Sequence, residues 1–565
     1  MAPAHASKPP RPADRVSPGG RAARHRRHDT GHLLQSSAIV GVGTALSRLT
    51  GFLRVAAIAY ALGVTTAAGV YSYANETPNI VYELLVGGIL TATLVPQFVR
   101  HLQRDDREAT NAVVTAAMLA LVVVTLLGVL LAPLIVDLYT LRVSGPGRAE
   151  QQELATKLLR LFMPQILFYG FATLATALLQ ARRRFAAAAF APILNNVVVI
   201  SIFLALPRVI DGPLTVRRIN EDSGLVLLLG LGTTAGVAAM ALVLVPALRG
   251  ARIRLRFLVS FRHAAVRTLV RLSGWTFGYV VANQIALWVV LVLANGVSGG
   301  AFAYLSAYAF FQLPHGLFSV SIMTAVGPEL AAAGARGDLA ALRHRFARAL
   351  RLVLTVVIPA AAVYVALARP IVVALLQRGA FSSGDAALVA DTLVGFAVGL
   401  PFFSTYIFAL RAFYSLEDTR TPFLLNCLEN TANIVLALWL FDEIGIDGLS
   451  FAFSGAYAIG ALVTLAVLSR RVGGLQGRGI GTTIVRVSVV AAAAGAGGWL
   501  ASKAVGWSGS AEAVVSVALG VVVAIAITAA GLWIARVHEF QEVLGLLRRR
   551  RVPDPAGGDD PAVER

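Results

Sequence analysis

Long apolar runs set the terms for this chain. Ala112 to Leu131 and Ala513 to Ala535 are continuous and carry no charged residue. Runs of roughly 20 apolar residues match the hydrocarbon core of a bilayer when helical. Lipid offers no partner to an unpaired backbone N–H or C=O, so only helices and closed barrels cross it. A barrel needs short strands that alternate apolar and polar residues, and these runs do not alternate. Composition points the same way: 57% of the 565 residues are hydrophobic and 14% charged, against about 25% charged in soluble domains. The mean hydropathy is +0.72. The expectation is an all-α polytopic membrane protein with about fourteen spans.

The apolar pattern places these spans near 34–62, 70–99, 110–139, 155–180, 187–207, 223–248, 266–295, 301–327, 349–368, 385–412, 421–441, 448–469, 481–504 and 511–536. Residues 1–32 are rich in Pro, Arg, His and Gly with no apolar core, so they read as a disordered basic tail and not a signal peptide. Residues 538–565 read as a second tail. Arg182-Arg183-Arg184, Arg249 to Arg271, Arg343 to Arg351 and Arg470-Arg471 then fall on one side, and the uncharged loops Gly63 to Ala68 and Gly296 to Gly300 on the other. Lys and Arg are roughly twice as frequent on the first side, which the positive-inside rule makes cytoplasmic. An even span count puts both basic termini there, in a plasma (inner) membrane.

The formal net charge is +19. In a soluble protein this would suggest nucleic acid. Here cytoplasmic loops and tails facing anionic lipid headgroups account for it, so no nucleic-acid partner is expected. Cys427 is the sole cysteine, which excludes an intramolecular disulfide and a thiolate metal site.

Motifs recur at an offset of six spans. Met163-Pro164, Gln180-Ala181-Arg182 and Pro192-Ile193-Leu194-Asn195-Asn196 echo Leu400-Pro401, Leu410-Arg411-Ala412 and Pro422-Phe423-Leu424-Leu425-Asn426. Pro78-Asn79 and Pro96 echo Pro314-His315 and Pro328. An even offset gives parallel repeats about an axis along the membrane normal, an arrangement used by transporters with the site between the halves. The expected organisation is a six-helix lobe over 33–249, a second over 250–470, and two additional helices over 471–537.

Arg48 and Arg54 lie inside the first span, in Ser47-Arg48-Leu49-Thr50-Gly51-Phe52-Leu53-Arg54. A buried arginine costs about 2.5–3.5 kcal/mol on insertion scales, so two of them need partners. A guanidinium fork suits phosphate; the structural alternative is an ion pair with Glu76 or Glu83. Six residues on one helix are separated by roughly 120° and about 9 Å. Sharing one ligand therefore requires a wide cavity or a bend at Gly51. In the second span, Glu83 is a counter-ion or proton site, or a structural salt-bridge partner of the arginines, and Pro78 shapes the helix.

The eleventh span carries Asn426, Glu429, Asn430 and Asn433 on one face. An acid among amide oxygens suits a coupling cation, Na+ or H+; interhelical hydrogen-bonding glue is the alternative. Asn283, Gln284 and Asn295 of the seventh span are candidate partners, and Gln312 and His315 beside Pro314 are candidates to face the same central space. Neither HExxH nor a Walker A sequence occurs, so nothing reads as a zinc hydrolase or an ATP-driven pump.

Ser47 to Arg54, with Leu62-Gly63, Asn75, Pro78-Asn79 and Pro96, resembles the MviN/MurJ family of lipid II flippases. So do Ala307 to Pro328, Ala412-Phe413-Tyr414-Ser415 and Thr419-Arg420-Thr421-Pro422. The likeness runs from about residue 35 to 540 and points to an actinobacterial member. It implies the multidrug/oligosaccharidyl-lipid/polysaccharide exporter fold, two six-helix lobes about a cationic cavity and a final pair forming a lipid-tail groove. It also implies that Arg48 and Arg54 meet the pyrophosphate of the undecaprenyl-linked peptidoglycan precursor, for cell-wall synthesis; Asn79, Glu83 and Gln312 are the further residues expected in the substrate site. This sequence has Tyr82 and Ala309 where many members have arginines, and Gly87 and Gly69 where they have acids, so more weight falls on Arg48 and Arg54.

A transporter for lipid II is the leading reading, with no cofactor beyond a coupling cation, and with membrane lipids and cell-wall synthesis proteins as partners. An exporter of another polyprenyl-linked saccharide or of drugs, a polyprenyl-phosphate membrane enzyme, and a scaffold for the cell-wall machinery are the competing readings.

Overall fold

A computed structural model describes residues 18–84, 90–104, 106–260 and 274–541. Among them it is helical, and 13 helices are long and apolar enough to cross a membrane. These match the expected spans except the second, which is divided between Thr66–Tyr82 and Leu90–Gln103 on either side of residues outside the description. The expected seventh span, 266–295, is described only from Gly274, as Gly274–Ala294.

The first helix, Pro18–Leu62, starts well before the apolar run. The stretch 18–32, expected to be a disordered tail, is therefore helical. Proline in the first turn loses no helical hydrogen bond, and the Arg- and Ala-containing stretch beyond it propagates easily from a helix already nucleated by lipid-spanning residues. Residues 1–17 lie outside the description.

Helix packing reproduces the six-span offset. The first span packs on the fifth (Ala186–Val209), the fifth on the sixth (Ser223–Leu242), the sixth on the fourth (Arg148–Phe162 and Gln165–Ala181), and the fourth on the second and third (Arg107–Leu130). In the second lobe the seventh packs on the eleventh (Arg420–Ile444), the eleventh on the twelfth (Ile446–Val472), the twelfth on the tenth (Ser383–Ser415), and the tenth on the eighth and ninth (Leu339–Leu376). Each of these first-lobe pairings recurs six spans later in the second lobe.

Without a hydrophobic drive between helices in lipid, close packing relies on small residues. A Cβ added to Gly395 or Gly399 of the tenth span would strike Ser450 or Ser454 of the twelfth. The final pair, Gly477–Val505 and Ser510–Ile534, meets through Gly498 and Gly520, where a Cβ on either would lie 2.9 Å from the other's carbonyl oxygen. The Ser502 and Ser516 hydroxyls lie 2.5 Å apart beside this contact. Both helices of the pair pack on the ninth span.

The lobes are tied at the end with few charges. The Ala380 N–H donates to the Tyr60 carbonyl at 2.9 Å, and the Val64 N–H donates to Asp385 Oδ2 at 3.3 Å. Thr66 and Ser298 hydroxyls are 2.8 Å apart, and Arg142 pairs with Asp442 at 3.4 Å. At Gly299 (φ 70°) the Val64 backbone passes so closely that a Cβ would sit 2.6 Å from it. Towards the opposite, arginine-rich end a cavity of about 1490 Å³ lies between the first, eighth, ninth and fourteenth spans.

Candidate cavity and buried polar cluster

The cavity is built on the bend of the eighth span. Pro314 removes one helical N–H, and the helix passes through a π-helical turn at His315–Ser319 before resuming at Val320. Such turns mark functional positions in many helices. This one leaves the Gln312 carbonyl able to accept from Arg48 Nη1 of the first span at 3.3 Å. Gly316 makes the approach possible, because a Cβ there would fall on the Arg48 guanidinium. Arg48 is thus held between lobes by a backbone carbonyl, with no ion pair to Glu76 or Glu83 among the described residues, and its side chain lines the cavity.

Arg54 has a different setting. The helix runs without a break through Gly51, so the two arginines keep different directions. Arg54 is absent from the cavity wall. Its charge faces Glu76, Tyr71 and Tyr169 inside the first lobe. The expected common clamp is therefore not assembled in this conformation. Asn79 hydrogen-bonds the Glu76 carboxylate, and Glu83 is exposed beside Glu76 and Tyr82 rather than against either arginine. The Gln312 side-chain amide donates to Tyr308 Oη at 2.6 Å, so Gln312 offers Arg48 its carbonyl and is itself absent from the cavity wall.

His315 is buried, bonded through Nδ1 to Ser404 Oγ at 3.0 Å and packed edge-on against Phe403. Arg48 and Arg411 of the tenth span both act electrostatically on it. Arg411 appeared in the sequence only as part of a repeat motif; nothing in its spacing marked it as a neighbour of the cavity.

The remaining wall is largely apolar, interrupted by Gln180 and by hydroxyls such as Thr355 and Thr528. The ninth span contributes Val356, Pro359 and Val363, and the fourteenth contributes Val521, Ile525 and Leu532. One guanidinium thus faces a long hydrocarbon surface. Cavities of this character suit a ligand with an anionic head and an apolar tail.

The second region is the polar face of the eleventh span. Asn426 Nδ2 and Asn430 Nδ2 both donate to Asn283 Oδ1 of the seventh span, at 3.0 and 2.9 Å. The structural alternative, interhelical glue, therefore holds for these two amide groups. It does not account for the oxygens. Glu429 Oε2 and Asn433 Oδ1 are buried with no hydrogen-bond partner, as is Thr464 Oγ1 of the twelfth span, and Tyr406 of the tenth span interacts with the Asn426 side chain. Glu429 is 1% exposed. Gly460 lets the twelfth span approach, since a Cβ there would lie 3.2 Å from Glu429 Cγ and 3.3 Å from the Tyr406 ring.

Buried polar groups nearly always have partners, so a cluster of unpartnered oxygens asks for a donor or a cation. One carboxylate with amide and hydroxyl oxygens fits a proton or an alkali cation, which take oxygen ligands at low net charge. Of the expected partners, Asn283 joins this cluster, and Gln284 Oε1 is itself buried without a partner. Asn295 does not join: it donates to the Tyr139 carbonyl at the seam between the lobes, at 3.3 Å. Thr464 and Tyr406 escaped sequence reading because isolated Thr and Tyr in apolar helices carry no pattern.

Comparison with known proteins agrees with this geometry. A family model described as lipid II flippase MurJ matches residues 58–535. A probable lipid II flippase MurJ of Rhizobium meliloti is 28% identical over 469 residues, covering 81% of this chain and 85% of the relative. A probable lipid II flippase MurJ of Synechocystis is 26% identical, covering 86% and 90%. Among solved structures, a lipid II flippase MurJ in an inward closed conformation superposes with a TM-score of 0.72 at 21% identity, covering 88% of this chain and 99% of that one. An inward-facing multidrug transporter of the MATE family and MOP superfamily follows at 0.63 and 14%, covering 77% and 99%. The chain belongs to the MurJ family of lipid II flippases.

Proposed function

We propose that this chain carries lipid II from the inner to the outer leaflet of the plasma membrane by alternating access of its two lobes, with both termini cytoplasmic. The observation that carries the reading is the cavity: Arg48 faces a largely apolar wall made by the ninth and fourteenth spans. Lipid II joins a pyrophosphate to a long polyprenyl chain, and this wall offers a guanidinium to the first and apolar surface to the second. Arg54 is the second arginine of the reading. It is held near Glu76 here, and meets the pyrophosphate only after the lobes rearrange.

The coupling step belongs to the second lobe. Glu429, with Asn426, Asn430 and Asn433, holds Na+ or H+, and Thr464 completes the oxygen set. Cation occupancy changes how the eleventh and twelfth spans pack, and hence the balance between the two access states. An exporter of another polyprenyl-linked saccharide shares the head-and-tail chemistry, and substrate competition separates it from this reading.

The test is depletion. Cells losing the protein should accumulate lipid II and lose shape, and the wild-type gene should reverse both. Arg48→Ala should fail to complement while inserting normally, and Arg48→Lys should complement only in part, because a lysine lacks the planar fork. Unchanged lipid II pools after depletion would remove the assignment.

A further inference from the structure

The chain beyond the fourteenth span turns back beneath the cavity. The helix ends at Ile534. The Ala535 N–H reaches the Gly531 carbonyl and the Val537 N–H the Leu532 carbonyl, at 2.8 and 3.1 Å. Arg536 takes a left-handed conformation, φ 50°, which reverses the chain. Val537 then packs in an apolar cluster with Val487, Val490 and Leu532. The Phe540 and Gln541 N–H groups close one helical turn on the Val537 carbonyl. Phe540 lines the cavity at its arginine-rich end.

An ion pair fixes this segment. Arg351 Nε of the ninth span meets Glu539 Oε1 at 2.5 Å, with side-chain exposures of 16% and 7%. The other salt bridges described have side chains at least 37% exposed. The Arg351 carbonyl accepts from Thr355 Oγ1 at 2.8 Å, and Thr355 lines the same cavity. The bolt and the wall are thus one turn apart on one helix. A surface pair of this kind would contribute little; a buried one holds its segment in place, because separating it leaves a desolvated charge.

We propose that Val537–Phe540 is a movable floor to the cavity, with Phe540 as the plug and Arg351–Glu539 as the bolt that sets how readily it swings aside. In the position seen here the floor covers part of the apolar wall with the Phe540 ring. Displaced, it opens the cavity at the arginine-rich end, where an amphipathic lipid enters or leaves. The role in lipid entry rests on the function proposed above; the floor itself does not.

Cysteine labelling tests it in the full-length protein. Cys427, the sole native cysteine, is replaced by serine, and Thr528→Cys places a thiol on the cavity wall. A membrane-impermeant maleimide is added from the arginine-rich side. Glu539→Gln should raise the labelling rate several-fold, and Phe540→Ala, which leaves the ion pair intact, should raise it as well. The exchanged pair Arg351→Glu with Glu539→Arg should return it towards the parent rate. Equal rates in the parent, Glu539→Gln and Phe540→Ala would overturn the floor. Lipid II transport is read in parallel on the same proteins. A parent protein that labels as expected but moves no lipid II would remove the functional reading and leave the floor standing.

Discussion

The two lobes share one packing plan and differ in what they bury at the same place in it. In the first lobe, Asn196 of the fifth span donates to the Ser47 carbonyl and to Thr50 Oγ1 of the first, at 3.2 and 2.9 Å. Six spans later, Asn426 and Asn430 of the eleventh donate to Asn283 of the seventh. The first contact is neutral, and its hydroxyl and carbonyl come from the helix that carries Arg48. The second sits beside a buried carboxylate and several unpartnered oxygens. The first lobe therefore carries the arginines Arg48 and Arg54, and the second a buried carboxylate among oxygens without partners. On the function proposed above, substrate recognition and coupling divide between repeats built on the same helix contacts.

Three substitutions break or sharpen that comparison. Gly316→Leu should have the largest effect. The new side chain occupies the space of the Arg48 guanidinium, so transport should fall at least as far as in Arg48→Ala, while detergent-extracted protein remains monodisperse. Near-normal complementation would show that Arg48 does not need this seat. Glu429→Gln is next. Removing the only carboxylate of the cluster should lower transport by about tenfold, the factor that corresponds to about 1.4 kcal/mol. It should also flatten the dependence of transport on Na+ or on pH, measured in vesicles with imposed gradients. A variant that keeps the full ion dependence would move coupling elsewhere. Asn196→Ala should matter least. It deletes neutral interhelical hydrogen bonds, each worth about 0.6 kcal/mol in membranes. A small loss in thermal stability with ion dependence intact is the expected result. Loss of ion dependence there would erase the division between lobes.

The eight-residue element Ser47 to Arg54 shows how far sequence reading carries. It marked both arginines correctly as residues that lipid alone would not tolerate. It could not say that Gly316, 268 positions later, is what admits the first of them, nor that the second turns towards Glu76. Helix phase gave the angle between them, but the partner of each depends on which lobe lies across that face. The polar stripe of the eleventh span was equally legible, because four residues at helical spacing must share a face. Thr464, Tyr406 and Gly460 were not, since each is an ordinary residue in its own helix. Glu539 lay in a stretch taken for a tail, and only its contact with Arg351 gives it a role.

Sequence by itself determined the solvent, the approximate places of the 13 helices able to cross a membrane, and the motifs that repeat at six spans. These follow from hydrocarbon thickness and from backbone groups that must bond within their own helix. Tertiary structure decided which polar groups are satisfied and which are left facing a cavity or one another. That outcome depends on contacts between helices far apart in the chain, and one helix's periodicity holds no information about its neighbours. Arg48 on a Gln312 carbonyl, unpartnered oxygens around Glu429 and Phe540 under the cavity are all of this kind.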